Sequence, residues 1–373
     1  MNWTIIEPLK PFNTIGADEI DAVEKVMLEG TLSGFLGGEL RGGKHVRAIE
    51  DAWCMEFGVK HAVACNSATS GLLAACSAVG VEQGDDVIVP ALTMSASAAA
   101  PALLGAKVRF AEIDKDTFCS VSYSHVSHAR AWINTNLFGH PGYLAATRQL
   151  YELHGVKIIE DNAQSPFAME NGKYAGTVGH IGVFSLNVHK ALQAGEGGIC
   201  VTDDDALADH MRRFINHGEM AGSGVGLNLR MTEITAAIGL VQLRKARQII
   251  GERVEIAQAI IEQIKGIPGI TPPTVRENCK HVYYAIAIKV DGDRKVIASA
   301  LRDAGVPIRE GYVDPLYRLP AFRKSARPCP VAEEMHDQRL MLYENCAYTP
   351  TNTQIRQIGD AFRKVMESQK EHT

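Results

Sequence analysis

Four segments of the chain hold residue types that could do chemistry. In FSLNVHKALQAGEGG (184–198) a strand is expected to end at Ser185, and Lys190 follows five residues later in a loop that turns through glycines into ICVTD. A lysine there, beside His189 and apolar groups, loses hydration. Desolvation lowers an amine's pKa and frees the neutral form for Schiff-base chemistry; the plain alternative is an exposed surface lysine. In IIEDNAQS (159–166) a strand delivers Glu160, Asp161 and Gln164 to its carboxyl edge. An acid at that place serves catalysis, binds a metal or caps the next helix. In NSATSG (66–71) a strand is followed by a helix expected from Leu72 onward. Backbone N–H groups there, with the Ser67, Thr69 and Ser70 hydroxyls, can hold a phosphate, or they form an ordinary N-cap. The fourth segment, GELRGGK (38–44), matches GxxxxGK, but His45 stands where a nucleotide loop needs Ser or Thr and no apolar strand precedes it. A surface or interface loop is the better reading.

These residues need a frame. Short apolar, β-branched runs recur at 61–65, 87–90, 107–113, 131–138, 156–161, 181–186 and 198–203, separated by helical stretches. Several lack two-residue alternation, as strands buried on both faces do. The pattern predicts an α/β fold: a large unit with a mostly parallel, mixed sheet flanked by helices, whose ligands sit at the carboxyl ends of strands. Upstream, a helix is expected between Gly16 and Gly30 and another from about His45. Downstream, a long helix is expected over about Thr232–Lys265, broken near Gly251, followed by a strand at 281–290, a helix at Lys295–Ala304 and a last helix at Thr353–Ser368. This later order predicts a smaller C-terminal α+β unit, with the division placed at 1–250 and 251–373.

Composition bounds the rest. The 373 residues suffice for two or three units, and 46% apolar with 22% charged is ordinary for a globular protein. The net charge of −5 argues against a nucleic-acid binder. The eight cysteines form no CxxC and mostly lie in apolar runs, so they read as buried, reduced thiols. No secretory signal shows between Met1 and Phe12. The most apolar stretch, 87–106, is interrupted by Pro90 and Pro101 and reads as strand, turn and helix, not as a membrane span. A cytoplasmic chain with no metal is expected.

Taken in order, the phosphate loop, the acid after a strand, Ser-x4-Lys before GEGG, and GLNLRMTEITAAIG (226–239) resemble the pyridoxal-phosphate-dependent sugar aminotransferases of the DegT/DnrJ/EryC1/StrS family, from about Phe12 to beyond residue 350. LFGHP (137–141), NHGE (216–219) and QL (242–243) belong to the same resemblance. It implies the aspartate-aminotransferase fold (fold type I), a homodimer, and pyridoxal 5'-phosphate held covalently by Lys190. By the same resemblance Asp161 pairs with the pyridine nitrogen, and Gln164 lies near the ring's O3' side. Ala68, Thr69 and Ser185 cradle the phosphate, and Asn228 reaches the phosphate in the neighbouring subunit. Met94, in PALTMSA (90–96), takes the place of an aromatic residue stacked on the ring; a thioether can pack there too. His189 is a candidate substrate contact.

Transamination needs an electron sink, a proton shuttle and an anchor. The cofactor is the sink, an acid at Asp161 keeps it protonated, and the freed Lys190 amine moves the proton. The resemblance implies an amino donor, glutamate, which leaves pyridoxamine 5'-phosphate for a nucleotide-linked keto sugar. The alternatives are a dehydratase or keto-cyclitol aminotransferase on the same cofactor, or a non-catalytic regulator on the same fold. Some relatives with histidine in place of the lysine are dehydratases, but counting from Ser185 the position falls on Lys190.

Overall fold

The computed structural model describes residues 5–35, 39–121, 128–218, 224–323 and 327–370. Seven strands form the central sheet: β1 (His61–Cys65), β2 (Asp86–Pro90), β3 (Lys107–Ala111), β4 (Ala129–Thr135), β5 (Lys157–Asp161), β6 (Ile181–Ser185) and β7 (Gly198–Thr202). Their order is β1-β7-β6-β5-β4-β2-β3; every pairing is parallel except those of β7, which runs antiparallel to both neighbours. The sheet is therefore mostly parallel and mixed, as the buried apolar runs predicted. Its β-branched strand residues Val87, Ile88, Val89, Ile158, Ile159, Ile181 and Val183 are fully buried.

Helices cover both faces. Against one lies α3 (Ala68–Ala78), which begins four residues earlier than the sequence suggested because Ser67 is its N-cap, accepting the Ser70 N–H at 3.1 Å. A Cβ on Gly71 would stand 2.8 Å from Cys200 Sγ and 2.9 Å from Val183 Cγ1, so glycine lets this helix seat on the sheet. Helices α1 (Ala17–Glu29), α2 (Lys44–Phe57) and α4 (Ala96–Leu103) appear where periodicity placed them. The stretch at 87–106 is indeed strand, turn and helix, and no helix among the described residues is long and apolar enough to cross a membrane.

The N-terminus of α2 explains the GELRGGK loop. Glu233 accepts the N–H of Gly43 at 2.9 Å and of His45 at 2.6 Å, and a Cβ on Gly43 would collide with its carboxylate. The chain's own acid fills the place a phosphate would take at such a helix start. Gly38 lies outside the described residues.

The long helix α5 (Glu233–Ile264) is continuous, against the expected break at Gly251. Gly251 faces open space. Its cost of about 1 kcal/mol relative to alanine is outweighed by apolar packing on either side. Ile249 and Ile250 pack with Trp53, Phe57 and Phe184 near the central sheet, and Ala257, Ile260 and Ile264 pack in a second core. That second core surrounds a four-stranded antiparallel sheet in the order 270–271, 286–290, 340–343, 308–310. Residue 250 thus falls inside one helix that serves both cores. The second core also takes Ile6 and Leu9, and Lys10–Pro11 pairs with Tyr348–Thr349.

The strand expected over 281–290 is shorter, Ile286–Val290. Tyr283 has φ 50°, and the N–H groups of Val282 and Ala285 go to the carbonyls of Gly139 and Phe138. The start of the apolar run is spent on closing against the loop after β4. The helices expected at Lys295–Ala304 and Thr353–Ser368 are Arg294–Asp303 and Asn352–Lys370.

Candidate active site

Because β7 is antiparallel, its first residue lies at the carboxyl edge of the sheet. Gly198 pairs with Cys65 at the end of β1 and with Ser185 at the end of β6. A Cβ on Gly198 would stand 2.5 Å from the Ser67 carbonyl carbon and 2.6 Å from the Ala68 nitrogen. Glycine therefore brings the start of α3 against the strand ends. Ala68 and Thr69 are the first two residues of that helix, whose N–H groups have no intrahelical acceptor. Together with Ser185, which accepts the Asn187 N–H at 3.3 Å, they make a small cradle of donors suited to an anion.

Two strands away, β5 ends in Glu160 and Asp161, which strand alternation sends to opposite faces. Glu160 is buried and accepts the N–H groups of Gly176, Val178 and Gly179 at 2.6–2.7 Å, so it shapes the turn before β6. Asp161 faces the other way. Ser97 of α4 donates its hydroxyl to Asp161 at 2.6 Å, and the Ala163 N–H lies at 3.2 Å. Burial holds the Asp161 carboxyl above its ordinary pKa, opposed by those two donors and by the charge of Lys190. This buried acid is short of positive partners, which suits a protonated ring nitrogen.

Lys190 sits in the turn after β6, its N–H donated to the Asn187 carbonyl. Its Nζ lies 4.7 Å from the centre of the Tyr284 ring. Burial lowers its pKa, and Asp161 pulls the other way. An amine so placed is readily deprotonated and can condense with a carbonyl. Gln164 is held at both ends: its Oε1 accepts the Phe138 N–H at 2.8 Å, and its Nε2 donates to the Tyr312 hydroxyl at 2.8 Å.

The remaining candidates lie toward solvent. Met94, in the loop after β2, is 49% exposed, so its thioether is available to a flat group. His189 is exposed, and its backbone N–H is tied to Asn187 Oδ1. Asn228 is exposed in a segment that bridges to Asn216 and, two residues on, joins the end of β1 through Arg230 and Cys65. It does not cap α5, whose N-cap is Thr232, accepting the Thr235 N–H at 3.2 Å. Glu219 of the NHGE segment lies outside the described residues.

Sequence reasoning missed Ser97, Tyr284 and Tyr312. Only the serines of TMSAS, just after a strand, hinted at the first. The two tyrosines come from the second sheet's loops, and no spacing links them to Lys190.

The donor cradle, the buried acid and the half-buried amine on one sheet edge fit pyridoxal phosphate: an anion, a ring N–H and an aldehyde would each meet a matching group. A family model described as the DegT/DnrJ/EryC1/StrS aminotransferase family matches residues 14–363, and the chain belongs to that family, as an α/β pyridoxal-phosphate-dependent aminotransferase. It is 29% identical to GDP-perosamine synthase of Escherichia coli O157:H7 across 79% of this chain and 83% of that one. It is 27% identical to dTDP-4-dehydro-2,3,6-trideoxy-D-glucose 4-aminotransferase of Saccharopolyspora spinosa across 95% of each chain. Among solved structures, DesV of S. venezuelae superimposes with a TM-score of 0.87 at 27% identity, covering 97% of this chain and 99% of that one.

Proposed function

We propose that the chain moves an amino group from an amino-acid donor, glutamate, to a keto sugar carried on a nucleotide, using pyridoxal 5'-phosphate bound at Lys190. The names of the two curated relatives support the nucleotide-linked sugar. The observation that carries the reading is a half-buried amine, Lys190, in the turn after one strand and a buried acid, Asp161, at the end of the neighbouring strand.

Bound there, the cofactor supplies the electron sink that lets a proton leave the carbon bearing nitrogen. The chain does the rest. The N–H groups of Ala68 and Thr69, with the Ser185 hydroxyl, bind the phosphate. Asp161, steadied by Ser97, keeps the ring nitrogen protonated. Gln164 and Met94 would help to hold the ring. The Lys190 amine would serve as the proton carrier of the transfer, with Tyr284 keeping water from one side.

The functional unit in this reading is a homodimer in which Asn228 crosses to the partner's phosphate. Its near neighbours in the chain, Val225 and Leu227, are 92% and 47% exposed. Exposed apolar residues beside Asn228 suit burial by a second copy. Borohydride reduction followed by peptide mapping tests the core of the proposal. The expected label is on Lys190; a label on another lysine, or none on cofactor-loaded protein, overturns it.

A further inference from the structure

Asp161 ends a buried chain of hydroxyls. Ser97 Oγ lies 2.6 Å from Asp161 Oδ2, Thr93 Oγ1 lies 3.2 Å from Ser97 Oγ, and Thr135 Oγ1 lies 3.0 Å from Thr93 Oγ1. All four residues are at most 5% exposed. They come from separate elements. Thr93 belongs to the loop after β2 and Ser97 to α4, while Thr135 and Asp161 close β4 and β5, where they pair in register.

A hydroxyl has one proton to give and lone pairs to accept with, whereas an ionised carboxylate only accepts. These rules set a direction. Ser97 gives its proton to Asp161, so at the Thr93 contact it accepts. Thr93 then has given its own, so at the Thr135 contact it accepts as well. The ionised acid therefore fixes one order, from Thr135 to Thr93 to Ser97 to Asp161. A protonated acid that donates to Ser97 would turn the order round and leave a proton at Thr135. Among the described residues the Thr135 hydroxyl has no second partner, and an unmet donor in a buried place costs free energy. Aligned donors also polarise one another, each strengthening the next. Burial favours the neutral form of the acid, and the chain opposes it. Among the described residues, the titratable groups whose charge couples to Asp161 are Lys190, in the turn after β6, and Tyr312, beyond the strand 308–310.

We propose that Thr93 and Thr135 are positioning residues of the reaction: with Ser97 they form a one-way hydroxyl chain that holds Asp161 ionised toward the ring nitrogen. The inference rests on the reading of Asp161 as the ring-nitrogen partner. It makes the charge of that acid depend on two side chains that do not touch it.

The test uses the full chain and reads the acid directly, by carbon-13 NMR of apoprotein labelled at aspartate carboxyls and titrated across pH, with D161N assigning the signal. S97A should raise the midpoint of Asp161. T93V should raise it by about 10–30% of that shift, the share of one cooperating bond. T93S, which keeps the hydroxyl, should restore the wild-type midpoint, and T93V should add nothing once Ser97 is replaced by S97A. If T93V does not fold, T135V with and without S97A decides in the same way. A midpoint that T93V leaves in place, that it shifts equally without the Ser97 hydroxyl, or that T93S fails to restore overturns the chain and leaves Asp161 as the ring partner. D161N holoenzyme that turns over like wild type overturns both.

Discussion

Ser97 Oγ lies 2.6 Å from Asp161 Oδ2, and that hydroxyl is the side-chain donor that a fully buried carboxylate receives. The acid and its steadying group come from different layers: Asp161 ends a strand, and Ser97 opens a helix two strands away. Ser97→Ala should leave the fold intact and push the Asp161 carboxyl further up, since burial then meets one donor fewer. We expect weaker cofactor binding and an activity profile whose acid limb moves to higher pH. An unmoved acid limb in a pH–rate series would show that Ser97 does not tune this group.

Asp161 also ties function to stability. Its folded pKa stands above the ordinary value, so the folded apoprotein favours the protonated acid. That contribution is present at low pH and is lost as pH rises through the folded pKa. Asp161→Asn removes the ionisation, so apoprotein carrying it should melt at a higher temperature than wild type at neutral pH. The gap should close on acidification. Transamination should fall by orders of magnitude, because a neutral amide no longer holds the ring nitrogen protonated. Matched thermal melts across pH check the first part and single-turnover kinetics the second.

Lys190 shifts the opposite way. Its amine is depressed by burial, so in apoprotein it should react with an acylating reagent at pH values where exposed lysines are still protonated and inert. The measurement is the pH dependence of modification at this residue by mass spectrometry; a midpoint at or above that of the surface lysines would refute the desolvated amine.

Gly198→Ala asks whether the cradle depends on close approach. The new methyl group would meet the Ser67 and Ala68 backbone at about 2.5 Å, and backbone cannot yield as a side-chain tip can. The start of α3 must move. We expect cofactor affinity to fall at least about tenfold, the effect of losing one good hydrogen bond to a charged group, with the far-ultraviolet circular dichroism unchanged.

Subunit mixing tests the shared site. Lys190→Ala and Asn228→Asp should each be inactive, the second because a carboxylate opposes the phosphate. In a heterodimer one site keeps both native residues, so random re-association should restore about a quarter of wild-type activity in a two-fold dimer. Heterodimers that form but stay inactive would place both residues in the same site of one chain.

Much of this architecture was legible in the chain. The strand ends that carry Asp161 and Ser185 were read from apolar β-branched runs, because strands buried on both faces leave that mark. What escaped was set by distant partners. Gly251 is a helix breaker by local propensity, yet packing at both ends of α5 overrides it. The run at 281–290 is apolar enough for a full strand, but Tyr283 turns it and its first N–H groups go to Phe138 and Gly139. Tyr284 reaches Lys190, and Tyr312 reaches Gln164, through tertiary folding alone, across more than ninety residues of chain, and no local pattern records that.

The stitching of Lys10–Pro11 to Tyr348–Thr349, with Ile6 and Leu9 in the second core, bears on how the molecule is made. A ribosome adding roughly 5–20 residues per second delivers these apolar residues tens of seconds before their partners exist. The central sheet can close while the nascent chain is still growing, but the second core cannot. The leading segment must wait uncovered until the final helix emerges, and during that interval the newborn protein is most exposed to aggregation and most in need of a chaperone.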